Sequence, residues 1–173
     1  MSAIHYHTHY HNLTEAEVAK QTPASLDPDT VACCVLKSTE EQRYVLGLAY
    51  PALKKDVAVA QDGHIDFVGP EVLEATAWSW MNKSRKINLF HEDGTEGHAE
   101  VVESYVYRGP AWKTISPVDK QEYTIEEGDW LLGVVFDEQT WPLVKAGQLN
   151  GWSPQGGAQR TKPTAGRLAQ LRS

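Results

Sequence analysis

The chain has 173 residues, within the roughly 100–200 of a typical domain, and a net charge of −7. That balance argues against a general nucleic-acid binder, which needs a basic face to neutralise phosphates; Arg160, Lys162, Arg167 and Arg172 near the C-terminus are too sparse to form one. The composition, 41% hydrophobic and 23% charged, is that of a soluble globular protein. The two cysteines, Cys33 and Cys34, are adjacent, frame no disulfide scaffold and fit a reducing compartment. No apolar run approaches the ~20 residues that span a bilayer, and no secretion signal is expected at the N-terminus.

Residues 1–30 read as a peripheral segment, polar and interrupted by Pro23 and Pro28, with one short helical candidate from Leu13 to Lys20 capped by Asn12 or Thr14. Thr30 to Lys37 and Arg43 to Tyr50 are β-type runs, and the polar stretch 38–42 between them suits a hairpin loop. Pro51 ends the second run, and a loop follows to about Pro70. Val72, Leu73, Ala75, Ala77, Trp78 and Trp80 predict a helix over 71–82, with Pro70 near its start. Lys86 to Phe90 reads as a short apolar strand ending at His91, and Gly94 to Gly97 as a turn.

His98 to Tyr107 reads as a long strand. Alternation then puts residues 98, 100, 102 and 104 on one face and 99, 101, 103 and 105 on the other, so His98 and Glu100 point together and Glu103 opposite. Trp130 to Phe136 suits a buried strand. Asp137 to Lys145 is predicted helical, with Asp137 as cap and Gly147 as stop. Leu149 to Ser153 leads into a Gly-rich turn over 154–157, and the last stretch reads as a loose polar tail. Strands predominate and the helices do not alternate regularly with them. The expected fold is α+β, mainly β: a small barrel or strongly curved sheet with flanking helices. The expected division is a peripheral segment over 1–30, one domain over 31–157, and a flexible tail over 158–173.

Two constellations carry candidate chemistry. His91 follows Asn88-Leu89-Phe90 and precedes Glu92-Asp93-Gly94, a rim position for an imidazole that exchanges a proton near neutrality. Ser153 stands in Gly151-Trp152-Ser153-Pro154-Gln155-Gly156-Gly157. A nucleophilic serine needs an exposed Oγ beside backbone N–H groups aimed at an oxyanion, and glycine allows that close approach. The spacing is not the G-x-S-x-G elbow, because Gln155 stands where the second glycine would be. Pro154 has no N–H, which leaves Gln155, Gly156 and Gly157 as candidate backbone donors.

Glu92, Asp93, Glu100, Glu103, Asp129 and His98 are candidates to orient the base, although solvated surface charge is the ordinary fate of such groups. A competing reading gives His91 and His98, with Glu92 or Asp93, to zinc, at a spacing that matches no zinc pattern. His5, His7, His9 and His11 alternate as they would on one face of a strand, yet histidines at a terminus more often bind metal adventitiously. No cofactor or metal is expected.

Taken in order, several segments resemble a known family. They are Tyr44 to Ala52, Asp66-Phe67-Val68 before a helix, Ile87 to Glu92, Val101 to Val106, Gly128 to Val134, and Val144 to Ser153. The series resembles the XkdF-type serine proteases of tailed phages and prophages, relatives of the prohead maturation proteases and, in fold, of the herpesvirus assemblins. It covers residues 44–157, about two-thirds of the chain. The resemblance implies a β-barrel ringed by helices. It also implies a protease acting inside the immature capsid, in the bacterial host cytoplasm, as a homodimer or higher oligomer. Scaffold protein and the termini of capsid proteins would be its substrates, with no nucleic-acid or membrane partner. By motif, the family's His falls on His91 in the Asn-Leu-x-His-Glu segment, and its Ser on Ser153 in the Gly-aromatic-Ser segment. Related proteases place a His or acid after the Ser; none follows Ser153 in this sequence. Three alternatives stay open: a third group from upstream, Glu103 or His98; a Ser–His dyad; or an inactive protein with a structural or scaffold-binding role in the capsid.

Overall fold

A computed structural model describes residues 35–39, 42–54, 66–90, 92, 94–152 and 161–171. Within them run the strands Val35–Thr39 (β1), Tyr44–Tyr50 (β2), Ala99–Val106 (β3), Trp112–Ile115 (β4), Glu122–Ile125 (β5) and Trp130–Phe136 (β6). The helices are Pro70–Lys83 (α1), Trp141–Lys145 (α2) and Ala165–Leu168 (α3). The helix expected over 13–20 lies outside the described residues.

One antiparallel sheet has the order β1-β2-β6-β3, and β4 and β5 form a separate hairpin. β6 takes an interior position because it is apolar on both faces, and six of its seven residues are buried. Alternation along β2 and β6 deals successive side chains to two clusters. On one face Val45, Ala49, Trp130, Leu132, Val134 and Phe136 meet Leu73 and Ala77 of α1, Trp141 and Val144 of α2, and Leu89. On the other face Leu46, Leu48 and Leu131 meet Ile125 of β5. Burial of each Val, Leu, Ile or Phe side chain here contributes about 1.5–3 kcal/mol, and this double coverage fixes β6 as the scaffold. The fold is mainly β, as expected. Among the described residues β1 and β3 are the edges of this sheet, and no pairing closes a barrel.

α1 begins at Pro70, whose missing N–H costs nothing in the first turn, and Leu73 and Ala77 supply its buried stripe. The residues after it depart from expectation. Lys86 to Phe90 is not a strand. Phe90 has φ +53°, outside the extended region, and Glu92 N donates to Leu89 O (2.9 Å) to close a turn. The apolar character of this stretch comes from anchoring a loop, since Leu89 is buried and Ile87 packs against the same cluster. The expected helix over 137–145 is shortened to α2. Its N-cap is Thr140 rather than Asp137, which instead accepts from Thr140 N (2.8 Å) in the turn before the helix; Gly147 at φ +73° is the stop, as expected. The β4–β5 hairpin was not anticipated, because strands of four residues leave only two apolar positions each to mark a period. In the C-terminal stretch, α3 is a single helical turn whose Arg167 donates to Glu71 of α1 (2.8 Å).

Two local devices shape the sheet. The register of β3 against β6 shifts between Val101 and Glu103, which leaves Val102 as a bulge, half-exposed. Ala99 and Val101 therefore pack on the helix-bearing face, and so does Val106 beyond the bulge, while Ser104 accepts from Trp130 Nε1 (2.9 Å). Glu103 is turned to the opposite face from Val101, and the strict alternation expected for this strand is broken. There Tyr44 donates to Glu103 Oε2 (2.6 Å) across β6. Gly133 makes that bridge possible: a Cβ on it would stand 2.7 Å from Glu103 Oε2, 2.8 Å from Tyr44 OH and 2.9 Å from Glu103 Cβ. Gly133→Ala is expected to destabilise the fold by roughly 1–3 kcal/mol, as overpacking does, in chemical denaturation. An unchanged midpoint would mean that the bridge does not occupy that space.

The second device is Asp129, which is almost completely buried (1% exposed). Its Oδ1 accepts from Ala52 N and its Oδ2 from Glu126 N, each at 2.9 Å. Tyr107 N donates to its carbonyl (2.8 Å), and Gly128 N donates to Tyr107 O (2.9 Å). One carboxylate thus ties the turn before β6 to the segment after β2.

Candidate active site

His91, Ser153, Gln155, Gly156 and Gly157 lie outside the described residues, as does Asp93. Their chain neighbours are described. Trp152 stacks on Phe136, with centroids 6.0 Å apart and planes 9° from parallel, and packs against the cluster on the helix-bearing face. Leu89, two residues before His91, is a buried member of that cluster. Phe136 pairs with Ala99, the first residue of β3, so Trp152 stands at the end of the sheet where the α1–β3 loop enters it. The segments that lead to the two singled-out residues are therefore anchored in one apolar cluster. Trp152 Nε1 is buried and has no hydrogen-bond partner among the described residues.

The loop around residue 91 is closed by a hydroxyl. Leu89 N donates to Thr95 Oγ1 (2.8 Å), and that oxygen lies 2.7 Å from Glu92 O and 3.1 Å from Leu89 O. Among the described residues of this stretch none pairs with a strand.

Three of the candidate orienting groups, His98, Glu103 and Asp129, have partners among the described residues. His98 Nδ1 lies 2.7 Å from Asp137 Oδ2. Asp137 Oδ1 accepts from the hydroxyl of Thr140 (2.7 Å), and that hydroxyl also lies 3.2 Å from His98 O. The hydrogen bond from His98, followed by those from the Thr140 hydroxyl and N–H, holds the Asp137 carboxyl down to about 2. With that carboxylate ionised, Nδ1 carries the proton and a neutral ring keeps Nε2 as an acceptor. Glu103 is taken by Tyr44, on the face away from Trp152 and Leu89. Burial first, and then the hydrogen bond and charge of Glu103, push the Tyr44 phenol well above its ordinary range. Asp129 accepts from the backbone N–H groups of Ala52 and Glu126. Glu92 and Glu100 are exposed. Among the described residues no three His, Cys, Asp or Glu side chains gather to hold a metal ion, and no helix is long and apolar enough to cross a membrane.

Comparison with known proteins decides the family. The model of the family described as "Putative phage serine protease XkdF" matches residues 31–162. The chain belongs to this family. It is similar to "Uncharacterized protein YqbD" of Bacillus subtilis (strain 168), 32% identical over 123 residues that cover 71% of this chain and 34% of that protein. It is equally similar to "Phage-like element PBSX protein XkdF" of the same organism, 32% identical over 123 residues covering 69% of this chain and 38% of that protein. The chain thus spans little more than a third of the length of these curated relatives. No solved structure matches it.

Two groups in this XkdF-family chain were not legible from residue order. Asp137 read only as a helix cap, with nothing to mark it as the carboxylate of His98, 39 positions away. Thr95 read as one more polar residue of a Gly-bounded turn, and no local signal separates it from its neighbours.

Proposed function

We propose that the chain is a serine endopeptidase of phage capsid maturation, with Ser153 as nucleophile and His91 as general base. The observation that carries the reading is the family match over residues 31–162. The shared anchoring of Leu89 and Trp152 supports it, because both flanks lie in one cluster. In the proposed reaction His91 takes the Ser153 hydroxyl proton as Oγ bonds to a peptide carbonyl carbon. The C–N bond then breaks and the proton passes to the leaving amine; water, deprotonated by the same imidazole, bonds to the acyl carbon, the bond from that carbon to Ser153 Oγ breaks, and the imidazole returns its proton to Oγ. Backbone N–H groups of Gln155, Gly156 and Gly157 hold the oxyanion, each worth about 3 kcal/mol if well aimed. The partnerships of His98 with Asp137 and Glu103 with Tyr44 support structural roles for both, and with them a Ser–His dyad. Scaffold and capsid proteins inside the immature capsid, in the host cytoplasm, are the proposed substrates. An assemblin-like fold and self-association belong to the same reading.

A second reading keeps the fold and drops the catalysis, leaving a structural or scaffold-binding protein of the capsid. Pro154 favours it, since the residue after Ser153 has no N–H to offer an oxyanion. A fluorophosphonate probe separates the two. Covalent labelling that maps to Ser153 is expected for the peptidase. Folded protein that stays unlabelled across its oligomeric states would establish the inactive alternative.

A further inference from the structure

A cavity of about 420 Å³ lies between α2 and the turn that joins β4 to β5. Its floor is apolar: Trp141 and Val144 are buried, and Pro117 and Val118 line it from the turn. Its rim is cationic, with Lys120 on the turn and Lys145 on α2, both exposed. No carboxylate lines it among the described residues, although the chain as a whole carries a net charge of −7. Arg43, Arg108, Lys113 and Arg167 are each paired with a glutamate; among the described residues Lys120 and Lys145 have no such partner.

The wall supplied by the turn is held by its own hydrogen bonds. Buried Ser116 donates its N–H to Gln121 O (2.9 Å), and its carbonyl accepts from Lys120 N (3.1 Å). Asp119 accepts from Gln121 N (3.0 Å) and from the Tyr123 hydroxyl (2.5 Å). These bonds hold Lys120 at φ +64°, a conformation that costs an L side chain. Lys120 Nζ turns back to donate to Pro117 O (2.6 Å), another lining residue, and keeps two further N–H groups for a ligand. The opposite wall closes where Gly147 approaches the turn: a Cβ on it would lie 3.5 Å from Val118 Cγ1.

We propose that this cavity is a docking site for an acidic peptide segment. One apolar side chain of the segment enters over Trp141 and Val144, and carboxylates beside it meet the ammonium groups of Lys120 and Lys145. An inorganic anion would leave the apolar floor uncovered, and a purely apolar ligand would leave both charges unused. The cations stand on two separate walls, which suits carboxylates spaced along one chain. A volume of this size falls within the roughly 300–1,000 Å³ of ordinary ligand sites. The proposal goes beyond the peptidase reading, because no lining residue belongs to the proposed catalytic machinery.

The test titrates the full chain into a dye-labelled peptide, Glu-Glu-Phe-Glu-Glu, and follows anisotropy together with the indole 15N resonance of Trp141. The peptide is expected to bind and to shift that resonance. Replacing its Phe by Ala is expected to weaken binding about 10-fold or more, through the lost apolar burial. The double variant Lys120→Glu with Lys145→Glu is expected to weaken it about 10-fold or more, since attraction becomes like-charge repulsion. Both lysines are exposed, so the variant keeps the core intact. Absence of binding, an unmoved Trp141 resonance, or full affinity in the double variant would overturn the proposal. Equal competition by free phenylacetate would overturn it too, because the site would then take a small carboxylate rather than a chain segment. A chain without peptidase activity would leave this proposal standing, and failure of the peptide to bind would leave the peptidase reading standing.

Discussion

Ser153→Ala is expected to lower kcat for cleavage of a scaffold or capsid substrate by on the order of 10⁴- to 10⁶-fold while the protein stays folded. The substitution removes one oxygen. It leaves Trp152 free to keep its stacking on Phe136, the contact that anchors this segment to the sheet. His91→Ala is expected to cost a similar factor, because a base without a nucleophile and a nucleophile without a base are equally idle. The double variant supplies the sharper measurement. Two groups acting as one unit lose their effect together, so removing both is expected to cost no more than removing one. Losses that multiply instead would show that Ser153 and His91 act independently, and undiminished cleavage by Ser153→Ala would end the assignment. Some acceleration over water is expected to survive in every variant, supplied by the oxyanion donors and by substrate binding.

Asp129→Ala is expected to cost the fold roughly 2–4 kcal/mol, measured as a drop in the denaturation midpoint at constant m-value. The loss has two sources. The charge-assisted hydrogen bonds to Ala52 N and Glu126 N disappear, and the donor of Ala52, which is fully buried, stays in a site that water barely reaches. An unsatisfied buried donor costs about 1–3 kcal/mol, more than a typical hydrogen bond contributes when made. Asp129→Asn is expected to fall between, since its amide keeps an acceptor for one N–H but turns a donor against the other. Full stability in Asp129→Ala would mean that the segment after β2 and the turn before β6 are held by other contacts.

Most strands announced themselves. Tyr44–Tyr50 and Trp130–Phe136 were legible because an apolar run bounded by turn residues has few other uses, and α1 because its apolar positions recur at helical spacing. The stretch 86–90 misled for a related reason. Ile87 and Leu89 are apolar because they anchor a loop on the core, and burial alone does not distinguish a strand from an anchored turn. Phe90 at φ +53° decides between them, and a phenylalanine in the left-handed region is not something sequence reasoning anticipates.

For the candidate site, residue types and order were enough to single out His91 and Ser153 and to point to the family, because a serine among glycines and a histidine before a turn keep their chemical meaning wherever the chain carries them. Tertiary structure alone decided the neighbours. Glu103 faces Tyr44 because one extra residue at Val102 turns the rest of β3 over, and such a bulge leaves no mark in the pattern. His98 meets Asp137 because β3 and β6 are adjacent in the sheet although far apart in sequence. Local periodicity reports which face of an element is apolar; which element lies against it is set by long-range burial, and so are the partners of every polar group at the rim.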